Sequence, residues 1–144
     1  MNYLVFLDAG AGELERILSG IKSMVIKESE PQDTHLQPLM PGDCLYFLRN
    51  DEMEIRVKAM IKSVQTVSGE SAGDISRQLK EMQPRLQLTE EQFMYWRTKT
   101  QVRLVEIEGA QKISLVHLDL DVLKGHSDWI AFQAFSVLTP GMVQ

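Results

Sequence analysis

Residues 41–64 read PGDCLYFLRNDEMEIRVKAMIKSV, and their pattern decides the fold class. Pro41-Gly42-Asp43 is a strong turn signal that delivers the chain into Cys44-Leu45-Tyr46-Phe47-Leu48-Arg49, an apolar run of strand-forming residues. Asn50-Asp51-Glu52 makes the next turn. From Glu54 onward the residues alternate, with Ile55, Val57, Ala59 and Ile61 on one face and Glu54, Arg56, Lys58, Met60 and Lys62 on the other. That period of two is the mark of a half-buried strand in an antiparallel sheet. The two strands are therefore expected to form a hairpin.

Toward the N-terminus, Tyr3-Leu4-Val5-Phe6-Leu7 is a short continuous apolar run that suits a strand buried on both faces. Asp8 to Gly12 is a turn, and Leu14, Ile17 and Leu18 then fall at the spacing of a short helix with one buried side, closed by Gly20. Residues 21–27 return to an extended pattern, with Met24 and Ile26 on one side and Ser23, Val25 and Lys27 on the other. Residues 28–41 hold three prolines without a period and read as a long loop, of the kind that is functional or floppy.

Toward the C-terminus, Thr66 to Gly73 is small and polar enough for a surface loop. Asp74 caps a helix that places Ile75, Leu79 and Met82 on one face and that Pro84 closes. Thr89-Glu90-Glu91-Gln92 is a capping box opening another helix, with Phe93 and Trp96 on one side. Gln101 to Glu108 and Ile113 to Val122 read as two strands about a Gly109-Ala110 turn, and Trp129 to Val137 as the last strand. Six or seven strands with three short helices, lacking regular strand-helix-strand alternation, favour a small, partly closed barrel over a doubly wound sheet.

Composition removes several classes of function. A chain of 144 residues suits one domain, and 44% hydrophobic with 24% charged residues suits a globular one rather than a disordered or fibrous one. No apolar run reaches the ~20 residues that cross a bilayer, and the N-terminus lacks a basic leader, so a cytoplasmic chain without membrane contact is expected. Cys44 is the only cysteine, which leaves no internal disulfide and no cysteine-rich zinc site. A net charge of −5 argues against charge-driven coating of nucleic acid, so any such contact must be local.

The segment Gly20-Ile21-Lys22-Ser23-Met24-Val25-Ile26-Lys27 followed by Gly42-Asp43 resembles the signature of the ASCH domain, a PUA-like β-barrel family. The family pattern is Gly-x-Lys-x-x-Glu-x-Arg and then Gly-Asp. Gly20, Lys22 and Gly42-Asp43 match it, whereas Val25 stands for the Glu and Lys27 for the Arg. Together with Val102 to Glu108 as a closing strand, the resemblance covers most of residues 1–108. It implies one PUA-like domain over residues 1–144, mainly β, with 112–144 added to the barrel, and a function in RNA binding. One branch of small ASCH proteins hydrolyses acetylated cytidine with a Lys and, three residues on, a Thr nucleophile. Lys22 fills the first place, but Val25 has no oxygen to attack a carbonyl.

Lys22 and Lys27, with Arg49, Arg56, Lys58 and Lys62 of the hairpin, would hold phosphate if one barrel mouth gathered them. The simpler reading of the hairpin cations is a solvated face balanced by Asp51, Glu52 and Glu54. Tyr46, Trp96 and Trp129 are able to stack a base; Tyr46 and Trp96 sit inside apolar patterns, which leaves Trp129 as the better candidate. His117, Asp119 and Asp121 alternate along one strand face, but at roughly 6.8 Å between neighbours they suit a solvated face better than one metal ion. Cys44 beside Asp43, with His35 in the loop before, reads as a small core residue rather than a nucleophile. Asp8 to Gly12 lacks the residues of a dinucleotide or P-loop fingerprint.

The expected function is therefore non-catalytic binding of RNA or a nucleotide-like ligand in a cleft near Lys22. Ser23, Lys27, Arg49, Arg56, Lys58 and Trp129 complete the expected site, with no cofactor or metal. The alternatives are a small amidohydrolase on a modified nucleoside and a protein-interaction module.

Overall fold

The computed structural model describes residues 2–28, 39–49, 54–69, 72–118 and 129–132. Along the chain these are β1 (Asn2–Leu7), α1 (Glu13–Leu18), β2 (Met24–Glu28), β3 (Cys44–Arg49) and β4 (Glu54–Ser68). They continue as α2 (Ala72–Glu81), α3 (Gln83–Leu86), α4 (Glu90–Trp96), β5 (Gln101–His117) and β6 (Trp129–Phe132). The six strands form one sheet in the order β2-β5-β4-β3-β1-β6, curled into a half-barrel. The expected hairpin of β3 and β4 is present, antiparallel from Cys44↔Met60 to Leu48↔Ile55. β1 joins β3 in parallel, the one parallel pair among the described strands of this mixed sheet.

The curl has a local cause. The β4–β5 ladder shifts register three times and the β3–β4 ladder once, and each bulge bends its strand and sharpens the twist. Alternate residues then feed different cores. Tyr3, Val5, Val25, Leu45, Phe47 and Val57 pack together under Leu14 and Ile17 of α1. Met24, Val102 and Leu104 point the other way, into a second core with Ile75, Leu79, Leu86 and Trp96 of the helices. Leu4, Leu48, Ile55, Ile130 and Phe132 make a third. A sheet covered on both faces explains why β1 reads as a continuous apolar run.

Several expectations change. The polar stretch after Thr66 is not all loop: β4 continues to Ser68, with Val67 1% exposed, because the helical layer covers that end of the strand. Pro84 opens α3 instead of closing α2, at a position where a missing N–H costs nothing. Gly109 and Ala110 are not a turn between two strands; Gly109 takes φ 66° inside the single long strand β5. β2 begins at Met24, three residues later than expected, and there are four described helices rather than three. Lys112, the expected start of the C-terminal addition, pairs with Val57 within β5. His35, the loop around it, the Asn50 turn, Asp119, Asp121 and residues 133–137 lie outside the described residues. No described helix is long and apolar enough to cross a membrane.

Candidate ligand-binding cleft

Lys22 is the one buried charged residue among those described, at 1% exposure. Gly20, with φ 83°, ends α1 and lets the chain double back. The backbone then ties residues 22 and 23 to three elements. The Lys22 N–H donates to the Arg16 carbonyl, the Ser23 N–H to the Arg85 carbonyl, and the Ile107 N–H to the Ser23 carbonyl, each at 3.0 Å. So held, the Lys22 side chain runs beneath α1. Its Nζ donates to the Leu86 carbonyl and lies 3.5 Å from Glu13 Oε1. Burial pushes the Lys22 pKa below the usual lysine value, and the Glu13 carboxylate works against that fall.

Glu13 connects this buried amine to a cleft. Its second carboxylate oxygen accepts from the Asp8 N–H at 2.7 Å, where β1 runs out into the turn. The cleft, about 290 Å³, lies where β1, β2, β6, α1 and α4 meet, and the chemistry on its wall comes from Asp8, Glu13, Gln92, Tyr95, Trp96 and Trp129. Gln92, Tyr95 and Trp96 stand at i, i+3 and i+4, one face of α4. The expected capping box sets that helix: Gln92 N–H donates to Thr89 Oγ1 at 3.2 Å, and Thr89 N–H to Gln92 Oε1 at 2.9 Å. With Oε1 so engaged, the amide's other polar atom is Nε2, a donor. Trp129 rests edge-on against Tyr3, with ring centroids 6.1 Å apart. Tyr95 packs edge-on against Trp96 at 5.1 Å and carries the Lys99 ammonium 4.5 Å from its own ring centroid.

The charge on this wall is one-signed. Asp8 and Glu13 line the cleft and no Lys or Arg does so among the described residues. Nor does any Ser, Thr or Cys; Val25, in the place where the resembled hydrolases carry Thr, is one of the lining residues. The arrangement offers aromatic surface, carboxylate acceptors, an amide donor and the Tyr95 phenol, without a serine, threonine or cysteine among the described lining residues.

The residues expected to share one mouth are spread over three recesses. Trp129 stands in the cleft. Lys22 and Ser23 border a separate hollow between α1 and β5, while Arg49 and Arg56 line a third space with Lys112. Lys27 donates to the Glu28 carbonyl at 3.3 Å, and Lys58 sits mid-strand opposite Tyr46 and Gln111. Lys62 pairs with Glu106 at 3.3 Å. Tyr46 is half-buried and packs with Phe132 against the third core, and Trp96, 8% exposed, belongs to the second core as expected while also edging the cleft. His117 pairs with Glu54 at 3.2 Å, and no group of metal ligands forms among the described residues. Cys44 is a free, half-buried thiol. In the Asp8 turn, Asp8 Oδ1 accepts the Gly10 N–H at 2.9 Å.

Asp8, Glu13, Gln92 and Tyr95 were not expected at the site. Gln92 and Tyr95 carried a signal, since the helix starting at Thr89 puts them on the face shared with Trp96. Asp8 and Glu13 carried none, because an acidic residue beside a turn or at a helix start is ordinary surface chemistry.

No protein-family model and no curated protein matches the chain. Solved structures do. The ASCH protein of Zymomonas mobilis superposes with a TM-score of 0.65 at 11% identity, covering 92% of this chain and 87% of that one. Two single-substitution variants of the same protein superpose with TM-scores of 0.66 at 12% and 11% identity, covering 92% of this chain and 88% and 90% of theirs.

Proposed function

Proceeding from a chain that has the fold of an ASCH domain, we propose that it binds RNA or a nucleotide-like ligand by taking one base into the cleft, without covalent chemistry. The observation that carries this reading is the convergence of four aromatic side chains, Phe6 among them, with Asp8, Glu13 and Gln92 in one space of about 290 Å³. That volume is at the low end for small-molecule sites and suits a flat heterocycle better than a whole nucleotide.

Each part has a job. Every base has a π-face, and stacking on an aromatic ring is worth ~1–3 kcal/mol per base. Single-stranded RNA recognition combines such stacking with hydrogen bonds to the base edge. Carboxylates accept from an exocyclic amino group, as Glu and Asp do from the N4 amino group of cytosine. Lys22 acts through Glu13: its buried Nζ, 3.5 Å from Oε1, keeps the carboxylate in place. Its role is thus positioning, in place of the direct phosphate contact that the sequence suggested.

A fluorescence titration with cytidine and short unpaired RNA tests the reading, with Trp96 and Trp129 as reporters. Quenching is expected, and Trp129→Ala or Glu13→Gln should each weaken binding by about 1–3 kcal/mol. Absence of binding even at low salt rejects it. Turnover of acylated nucleosides that Lys22→Ala abolishes would replace binding by hydrolysis.

A further inference from the structure

On the other flank of α1 lies a groove of opposite charge. It is about 420 Å³, with Leu14, Leu18, Val57 and Ile113 as apolar lining and Arg49, Arg56 and Lys112 as cations against the single carboxylate of Glu15. In a chain of net charge −5, three cations from three adjacent strands around one space are a local reversal of sign. The sheet builds it through a bulge. Val57 pairs with Lys112, but the next paired residue, Ile55, faces Val116, so β5 carries two more residues than β4 across this step. Such a bulge bows the strand and re-aims its side chains, here Lys112 and Ile113, toward the groove.

The ion pairs that the two arginines make with Glu15 and Glu54 are reached by solvent. Arg49 meets Glu15 at 3.4 Å and Arg56 meets Glu54 at 2.9 Å, and the Arg56 side chain is 51% exposed. Ion pairs this exposed contribute little to stability, so a phosphate can share or replace them. Arginine presents planar paired donors that match phosphate oxygens.

We propose that this groove is a phosphate site for the backbone of a single strand, supplying the anion contacts that the acidic cleft lacks. The proposal rests on the base-binding reading for the identity of its polynucleotide, and on Arg49, Arg56 and Lys112 for the anion. α1 is the shared wall, with Glu13 on the cleft and Leu14, Glu15 and Leu18 on the groove. A helix is about 10 Å across, which is about three nucleotides at the stacked rise of ~3.4 Å. One strand is thus long enough to set a base in the cleft and its phosphates in the groove.

The test compares the native chain, Arg56→Ala/Lys112→Ala and Glu13→Gln with three probes: a labelled cytidylate RNA hexamer, cytidine 5′-monophosphate and cytidine. Both groove side chains are solvent-exposed, so the double variant should keep the native circular dichroism spectrum. It is expected to bind the hexamer about tenfold or more weakly, with the slope of log affinity against log salt shallower by about 1.4. Its affinity for cytidine should be unchanged. If it binds the hexamer as the native chain does while cytidine still binds, the groove is rejected and the base cleft stands. If the groove substitutions act but Glu13→Gln leaves cytidine and hexamer binding untouched, the groove stands and the base reading falls. Monophosphate binding as tight as the hexamer, and equally lost in the double variant, overturns the strand as the source of phosphate. If no probe binds, both fall.

Discussion

Lys22 is a residue whose role its neighbours in sequence do not reveal. A lysine after a helix-ending glycine invites assignment as a ligand contact, yet its ammonium is spent inside the protein on Leu86 and Glu13. Removing one member of a buried pair strands the other. Lys22→Met should therefore cost about 3 kcal/mol in urea unfolding, the low end for such pairs because Glu13 keeps 12% side-chain exposure. Adding Glu13→Gln should recover part of the loss, and a cost under about 1 kcal/mol would remove the pair as a structural element. The pH dependence has a defined sign. Burial lowers the Lys22 pKa in the folded state below the 10.5 of the unfolded chain, so between those two values the unfolded chain binds more protons. Stability should rise with pH across that window and be flat, as far as Lys22 is concerned, below it. Lys22→Met should lack the rise in unfolding curves taken on both sides of the window.

At the scale of elements, α4 and β5 place the chemistry by different means. α4 is a seven-residue helix, too short to be stable alone, and its capping box supplies what its length does not. Thr89→Ala should cost about 1 kcal/mol and speed amide exchange at Gln92, whereas Thr89→Ser should restore both. An unchanged exchange rate would show that packing of Trp96 alone holds the helix. The capping box is visible in the residues because it is local. β5 is not, because Gly109 and Ala110 carry the composition of a turn, and the ladder to β4 keeps them in one strand. Backbone pairing with a long neighbour overrides turn propensity, just as burial of Val67 extends β4 through a polar stretch.

For the whole molecule, the decisive property is a sheet whose end strands, β2 and β6, do not pair with each other among the described strands, with charge sorted by sign about α1. β2 and β6 each pair with one neighbour among the described strands, while β5, β4, β3 and β1 pair on both sides. Hydrogen exchange should accordingly be slowest in the interior of β3 and β4 and fastest in β2 and β6; equal protection in β6 and β4 would indicate that the seam is closed. Acidic cleft and basic groove flank α1 within a chain whose net charge repels long duplexes. The strands of the hairpin, the helix that ends at Gly20 and the capped helix at Thr89 are all legible in residue order, because periodicity and capping act over a few neighbouring positions. Only the folded chain brings Asp8 and Glu13 to Gln92 and Trp129, and turns Lys22 inward while parting it from Arg49 and Arg56. Those relations depend on strand order and register across long separations, which the burial of three cores selects and which no local pattern of side chains encodes.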